Sequence, residues 1–513
     1  MTRTAGPAAQ RHSGTAARVL GIAVPLCLCA AVPLPSQCPD GTPPPCHGAR
    51  AAAPENSVAV LYFENTSRDS ADDYLVNGLT EEVILRLQQV RRLEVKSRYE
   101  SQRVRGRHNL APSALGRELG ARYLVNGTIQ RAAERIVVRV ELTRADRGVD
   151  VWSERFDRTS ADVLDVIDDV ARGVATGVAG QLLPAEAAGL ARRPTSDAAA
   201  YEHFLRGNFY LAQRNAAGLA RAAAEYEQAS ARDPAFQAPL ARLAYAYALG
   251  VAYGVGSMTP DSIQARAAAA MHHAVREAPG VSDTWLARGF YLLVASFDVD
   301  SMDESIAALA RAVQLDPGSA EAHHQYAQGL VVMSRDQAAR AEYRRALDLE
   351  PARAVTYGEL AELAFLEGHL AEAHAWCDSA LAADPRLARA YVVRARILLA
   401  QGDLPGARRE AETAVSMSPS DPATHDMRAM VLAASGDTAA AVREIASSGG
   451  ETFLGPEPLV FVGQVDRALS LLERAAAPAL RCYWSRTPEM SRLHGQPRFD
   501  RLVAGCPVPE DGR

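Results

Sequence analysis

LDPGSAEAH, residues 315 to 323, and AADPRLARAY, residues 382 to 391, each place a proline directly after an apolar, alanine-rich run. Six prolines stand in comparable settings: Pro234, Pro279, Pro317, Pro351, Pro385 and Pro419. The last four are 34 residues apart, and the earlier gaps are 45 and 38. Proline cannot continue a helix, so each one marks a helix end. A fixed period of this length decides an architecture before single elements are considered. Ala339, Ala373 and Ala407 fall 12 residues before the proline of their unit, and Ala346, Ala380 and Ala414 fall 5 before it. Small residues recurring in phase are what two touching helices need; bulkier Tyr343 and Cys377 lie between them. Gly368, Gly402 and Gly436 stand where paired helices must turn.

The period and its positions resemble the tetratricopeptide repeat family over residues 197–450. Trp285, Gly289 and Leu292 match the aromatic, glycine and apolar positions of one first helix, whereas Ala361 and Ala395 replace that glycine in other units. The resemblance implies an all-α solenoid in which each helix pair buries its apolar face only against its neighbours. The spacing of 45 predicts an insertion near GVAYGVGSMTP, residues 250–260. In this family certain first-helix positions face an inner groove that takes a protein or peptide partner. Here they correspond to His324, Gln328, Val331, Glu362, Phe365, Arg396, Leu399 and Asp426. Beyond residue 450 the pattern decays, so 451–513 reads as a degenerate helical cap, with helix in GQVDRALSLLERA and a terminal piece in LHGQPRFDRLVAGC.

Upstream, the period of the pattern changes. In SVAVLYFENTSRDSADDYLVNGLTEEVI, residues 57–84, an apolar run gives way to a polar loop and then a helix striped by Leu75, Leu79, Val83 and Leu87. RRLEVKSR (91–98) reads as a second short strand, residues 99–112 as a polar, basic loop, and SALGRELG (113–120) as a short helix. YLVNGTIQ (123–130), RIVVRVELTRA (135–145) and VDVWSERF (149–156) read as strands of an antiparallel meander, and in the second Ile136, Val138, Val140 and Leu142 alternate with Arg139 and Glu141. A helix carrying Val163, Ile167, Val170, Val174, Val178 and Leu182 closes the unit, ended by Pro184. The expected fold class is therefore a small α/β domain, 57–183, followed by the tetratricopeptide-type solenoid.

Strand, loop and helix also begin many phosphate-binding folds. Such a cradle needs glycines for close backbone approach, and a P-loop needs a lysine. ENTSRDSADD, residues 64–73, has neither and carries Glu64, Asp69, Asp72 and Asp73. Acids there suit a helix N-terminus instead. Lys96 is the one lysine in the chain. The blocks SVAVLYFENTSRDSADDYLVNGLTEEVILRL, ELGARYLVNGTIQR and VWSERFDR do resemble, in the same order, the TolB amino-terminal-type domain of bacterial proteins. That resemblance implies a non-catalytic module of envelope or signalling proteins and brings no catalytic residues with it.

The first residues look like an export signal. Arg3, Arg11 and Arg18 precede the 16-residue apolar run VLGIAVPLCLCAAVPL, which is short for a membrane span and contains Pro25 and Pro33. Residues 1–31 are accordingly either a cleaved signal or a retained anchor, and 32–56 a Pro/Gly/Ala-rich linker. Seven cysteines fit an exported protein; Cys38 with Cys46, and Cys482 with Cys506, are the candidate disulfide cysteines, and free thiols are the alternative.

Other sites fail on spacing. His272-His273 and His323-His324 are adjacent and diverge by about 100° on a helix, so neither pair forms a metal site. His369 and His374 miss the i, i+4 spacing, and Asp298, Asp300 and Asp303 lack the glycine and final glutamate of a calcium loop. Cys377 reads as a packing residue, and the basic run 91–108 as a solvated loop. Net charge of −6 gives no argument for nucleic acid. No catalytic residue, metal or cofactor is expected. The reading is a non-enzymatic interaction scaffold of the bacterial cell envelope, exported or periplasmic, or held at the inner membrane by its N-terminal segment. The alternative is a cytoplasmic or membrane-tethered regulatory subunit whose catalytic or DNA-binding domain lies on another chain.

Overall fold

The computed structural model describes residues 53–506 apart from 68–71, 108–109, 160–161, 192, 296–298, 420, 448–454 and 475–477. The export-like segment, most of the linker, Cys38 and Cys46 lie outside the described residues.

The α/β domain is built on one sheet of six strands among the described residues, with β2 off the main path. The elements are β1 (Ser57–Val60), β2 (Glu64–Asn65), α1 (Asp73–Gln88), β3 (Glu94–Val95), α2 (Arg98–Arg103), α3 (Pro112–Leu119), β4 (Tyr123–Ala132), β5 (Arg135–Arg144), β6 (Val149–Thr159) and α4 (Val163–Ala179). Strand order is β3-β1-β4-β5-β6. β1 pairs in parallel with β3 and β4, and β4, β5 and β6 form the expected antiparallel meander. β1 is buried along its whole length, which is why SVAV reads as a continuous apolar run. Leu75, Leu79, Val83 and Leu87 are all buried and pack with α4 on one face of the sheet. On the other face Leu61, Val104, Leu115, Leu119 and Leu124 form a second core under α2 and α3.

Two expectations need correction. Residues 98–103 are helix, not loop: the Ser97 side chain accepts from the Glu100 backbone and Glu100 returns the bond, a reciprocal cap that supports a helix with no apolar stripe. Pro184 does not end the preceding helix. α4 stops at Ala179, before Gly180 at φ 71°, and Pro184 opens the next helix, α5 (Pro184–Leu190).

Nor does the core stop at residue 183. Leu190 of α5, Ala200, Tyr201 and Leu205 of α6 (Ala198–Leu211), and Phe236 belong to the same apolar cluster as α1 and α4. Gly78 makes this contact: a Cβ there would lie 2.9 Å from a methyl of Leu205. Beside it, Tyr74 donates to Glu202, Arg131 donates to Glu202 at 3.0 Å and to Tyr74 at 2.8 Å, and Arg206 donates to Glu202 at 2.7 Å.

From α6 onward the chain is a helix-pair solenoid of tetratricopeptide type, with seven pairs among the described residues: α6/α7 (Ala216–Arg232), α8 (Gln237–Tyr253)/α9 (Pro260–Glu277), α10 (Ser282–Ala295)/α11 (Val299–Leu315), α12 (Ala320–Val332)/α13 (Asp336–Leu349), α14 (Ala354–Leu366)/α15 (Leu370–Ala383), α16 (Ala388–Ala400)/α17 (Leu404–Met417) and α18 (Pro422–Ala434)/α19 (Thr438–Ser447). All six phased prolines sit between one pair and the next. The long unit near 250–260 is absorbed by 17- and 18-residue helices, α8 and α9, and the loop between them. Ala339, Ala346, Ala373, Ala380, Ala407 and Ala414 have no exposed surface, so the second helices meet their neighbours through methyl groups. Gly368, Gly402 and Gly436 take φ of 77°, 80° and 90° in the intrapair turns, a conformation that other residues adopt only with strain. Ser334 holds the equivalent place in the α12/α13 turn at φ 56° without being glycine.

One repeat device was not foreseen. Six residues after five of the prolines, a side chain reaches back to that proline's carbonyl: Trp285 to Pro279 (2.8 Å), His323 to Pro317 (3.1 Å), Tyr357 to Pro351 (2.9 Å), Tyr391 to Pro385 (3.0 Å) and His425 to Pro419 (2.8 Å). Each bond satisfies a carbonyl at the corner between pairs.

The C-terminal region continues as α20 (Glu457–Phe461), α21 (Val465–Arg474), α22 (Pro478–Ser485), a 3₁₀ turn (Pro488–Leu493) and α23 (Pro497–Val503). Leu459, Leu469, Leu472, Met490, Leu493 and Phe499 give it a core of its own. A disulfide joins Cys482 to Cys506.

Candidate functional site

The first helices of the pairs carry the residues expected to line the groove: His324, Gln328 and Val331 on α12, Glu362 and Phe365 on α14, Arg396 and Leu399 on α16, and Asp426 on α18. Gln328 and Leu399 are half-buried. The other six are buried, none more than 7% exposed, so this face is not an open trough. Two of the expected positions point into seams instead. The His324 ring packs 5.7 Å from Tyr343, with Nδ1 3.0 Å from the Thr356 hydroxyl. Phe365 is enclosed by Ala361, Cys377, Val393 and Ile397.

Much of the remaining face is covered by the C-terminal region. Arg396 donates from Nε and Nη2 to the two carboxylate oxygens of Glu489, at 2.8 and 2.9 Å, and from Nη1 to Glu362. Its guanidinium also lies over the Phe365 ring, 4.6 Å from the centroid. Arg486 makes a two-point contact with Asp336 at the start of α13, one arm of it 3.1 Å. The Tyr483 ring packs on the cluster of Ala327, Leu330, Leu360 and Leu363. Burial alone would raise the Glu362 carboxyl; Arg396 and Arg389 outweigh it and hold the group below the usual carboxylate range. Glu457, deeper in the same region, goes the other way: burial, reinforced by Glu489 and opposed by Arg396, pushes it up to about 8. The sequence reading missed Tyr483, Arg486 and Glu489. Their signal was an aromatic, a base and an acid at i, i+3 and i+6 outside the repeat register.

A second buried charge cluster sits toward the first repeats. Glu321 accepts from Arg214 at 2.9 Å and also pairs with Arg353 and the Tyr245 hydroxyl. Burial opposes its charge, yet Arg214 and Arg353 hold the carboxyl well below its ordinary value. His324 lies beside this cluster. Burial, with Arg353 and Arg214 adding to it, drives its imidazole down to about 3, so it is neutral at physiological pH.

Among the described residues, no group of three or more His, Cys, Asp or Glu side chains is placed to hold a metal. His323 bonds Glu342 at 2.5 Å while His324 turns to Thr356, the divergence that adjacent helix positions impose. In the α/β domain a cleft of about 330 Å³ is lined by Tyr62, Ser101, Arg105, Asn126, Arg139 and Glu141, among others. The Tyr62 hydroxyl donates to Glu81 at 2.9 Å, and burial raises it further above the range where it would ionise. The Ser101 hydroxyl is buried without a hydrogen-bond partner among the described residues. No described helix is long and apolar enough to cross a membrane.

No family model matches the chain. It is 30% identical over 209 residues to Putative adenylate cyclase 3 of Rhizobium meliloti (strain 1021), across 40% of this chain and 35% of that protein, so it spans about a third of that relative's length. Among solved structures it is similar to Pseudomonas aeruginosa PilF (17% identity, 44% of this chain and 96% of that one, TM-score 0.30). It is also similar to yeast Tom70 (13%, 60% and 67%, TM-score 0.37) and to a chain of the APC/C Cut9–Hcn1 hetero-tetramer (14%, 67% and 60%, TM-score 0.41). The solenoid assignment rests on the helix pairs themselves, not on these likenesses.

Proposed function

We propose that the chain is a non-enzymatic protein-interaction scaffold of the bacterial cell envelope, in which a TolB amino-terminal-like α/β module carries a helical-repeat array that receives a protein segment. The observation that carries this reading is the first-helix face of α12 to α18. It gathers Glu362, Arg396 and apolar side chains at 34-residue steps and receives a peptide segment, residues 483–489, with paired charges and a packed aromatic ring. Recognition of an extended partner needs that combination of polar anchors and apolar contacts. Photo-cross-linking in cells from Leu399, on this face, and from exposed Arg409, on α17, tests it. A discrete protein adduct from Leu399 and none from Arg409, in the envelope fraction, is the expected result. Adducts equal from both positions, or recovery in the cytosol, would overturn it.

The second reading is a cytoplasmic or membrane-tethered regulatory subunit whose catalytic or DNA-binding domain lies on another chain. Mass spectrometry of the native N-terminus separates the two: a mature N-terminus near residue 32 favours the scaffold, and a retained basic N-terminus in the cytoplasm favours the regulatory subunit.

A further inference from the structure

The segment that follows α21 does more than cap the last repeat. A capping element touches only the terminal repeat. Here the last pair is α18/α19, yet Glu489 reaches Arg396 on α16, 93 residues back, and Arg486 reaches Asp336 on α13, 150 residues back. Tyr483 lies against α12 and α14, and α22 packs on α11 and α12. From residue 489 down to 483 the contacts therefore move from α16 toward α12 and the start of α13, so the segment spans several pairs. The disulfide from Cys482 to Cys506 ties its start to the turn just after α23.

Tyr483 stands in α22, Arg486 in the turn that follows it and Glu489 in the 3₁₀ turn, with Thr487 extended between them, and the contacts themselves show that all three side chains turn toward the repeats. Each meets its complement: the tyrosine an apolar cluster, the arginine Asp336, the glutamate Arg396. This is how an amphipathic ligand sits in a helical groove. We propose that the face is a peptide-docking groove whose resident occupant is this chain's own segment 481–493, and that the external partner it takes is a protein segment with an aromatic, a basic and an acidic side chain in that order and spacing. The partner must displace the resident segment to bind. The proposal rests on the protein-binding reading above.

The test uses the purified full-length chain and a fluorescent peptide of residues 481–494 carrying C482S. Wild type, its groove occupied, binds the peptide at least 10-fold more weakly than the full-length Y483A/R486A/E489A variant, whose own segment is released. Adding Arg396→Glu to that variant abolishes binding, and a peptide carrying E489R restores it. Equal binding to wild type and the triple variant overturns the proposal, as does no binding to a triple variant with native far-UV circular dichroism. Should the triple variant lose its helical signal, Glu489→Gln alone replaces it, with at least 3-fold tighter peptide binding than wild type expected and no change contradicting. Peptide binding without cellular adducts from Leu399 would keep the resident-segment assignment and remove only the external partner.

Discussion

The Arg396 guanidinium and the Glu489 carboxylate are joined by two hydrogen bonds, 2.8 and 2.9 Å long, although 93 residues separate them. Both side chains are about 5% exposed, and Glu362 holds the remaining arm of the same guanidinium. A pair of this kind ties the C-terminal region to the sixth of the seven helix pairs. Its two ends cannot be changed singly without leaving a charge in a dry site.

Glu489→Ala is expected to destabilise the unit containing the pair by about 3 kcal/mol, because it leaves Nε and Nη2 of buried Arg396 unpaired with only Glu362 remaining. Glu473→Ala, which breaks the exposed pair with Arg498, should shift the transition far less, because solvent screens that pair. Urea unfolding followed by circular dichroism compares them; equal shifts would contradict the assigned burial.

His324 sets a pH dependence. Its folded value of about 3 lies below the unfolded value of 6.5. Between the two the unfolded chain binds more protons, so this group's contribution is complete above pH 6.5 and is lost as pH falls toward 3. The slope approaches about 1.4 kcal/mol per pH unit inside that window. Thermal unfolding at pH 7 and pH 4 should show a smaller acid loss in His324→Gln than in wild type.

Cys377 is fully buried, and burial chiefly pushes its thiol up to about 12. Iodoacetamide at pH 8 should leave it unmodified in the native chain and alkylate it in urea, as peptide mass spectrometry would show. Rapid native labelling would place it in a reactive setting instead of a helix seam.

Tyr201 is wholly buried in a cluster shared by the α/β domain and the first repeat. Tyr201→Ala should cost about 3–5 kcal/mol, the range for removing a large buried ring. Its signature is loss of protection in both β4 and α6 by hydrogen exchange. An effect confined to α6 would mean that the two parts unfold independently.

The solenoid was legible because its causes are local and periodic. The phased prolines, the zero-exposure alanines and the intrapair glycines each act within one 34-residue unit. The sheet was legible for the same reason, from alternation in residues 135–145. What escaped was either capped or long-range. α2 has no apolar stripe, and only Ser97 and Glu100 announced it. Pro184 suits a helix stop and a helix start equally in the sequence, and Gly180, which ends α4 first, leaves it to open α5. The groove positions follow from the resemblance to tetratricopeptide repeats, which cannot reveal that His324 meets Thr356 or that Glu489 returns to Arg396. Those contacts depend on how the whole array winds.

Hydrogen exchange at the amides of residues 483–493 in the wild-type chain tests the central claim most directly. The structure predicts protection comparable to α16, the helix that holds Arg396, because the segment is docked on it. Exchange of those amides at the rate of an unstructured peptide, while α16 stays protected, would show an empty groove and contradict the account.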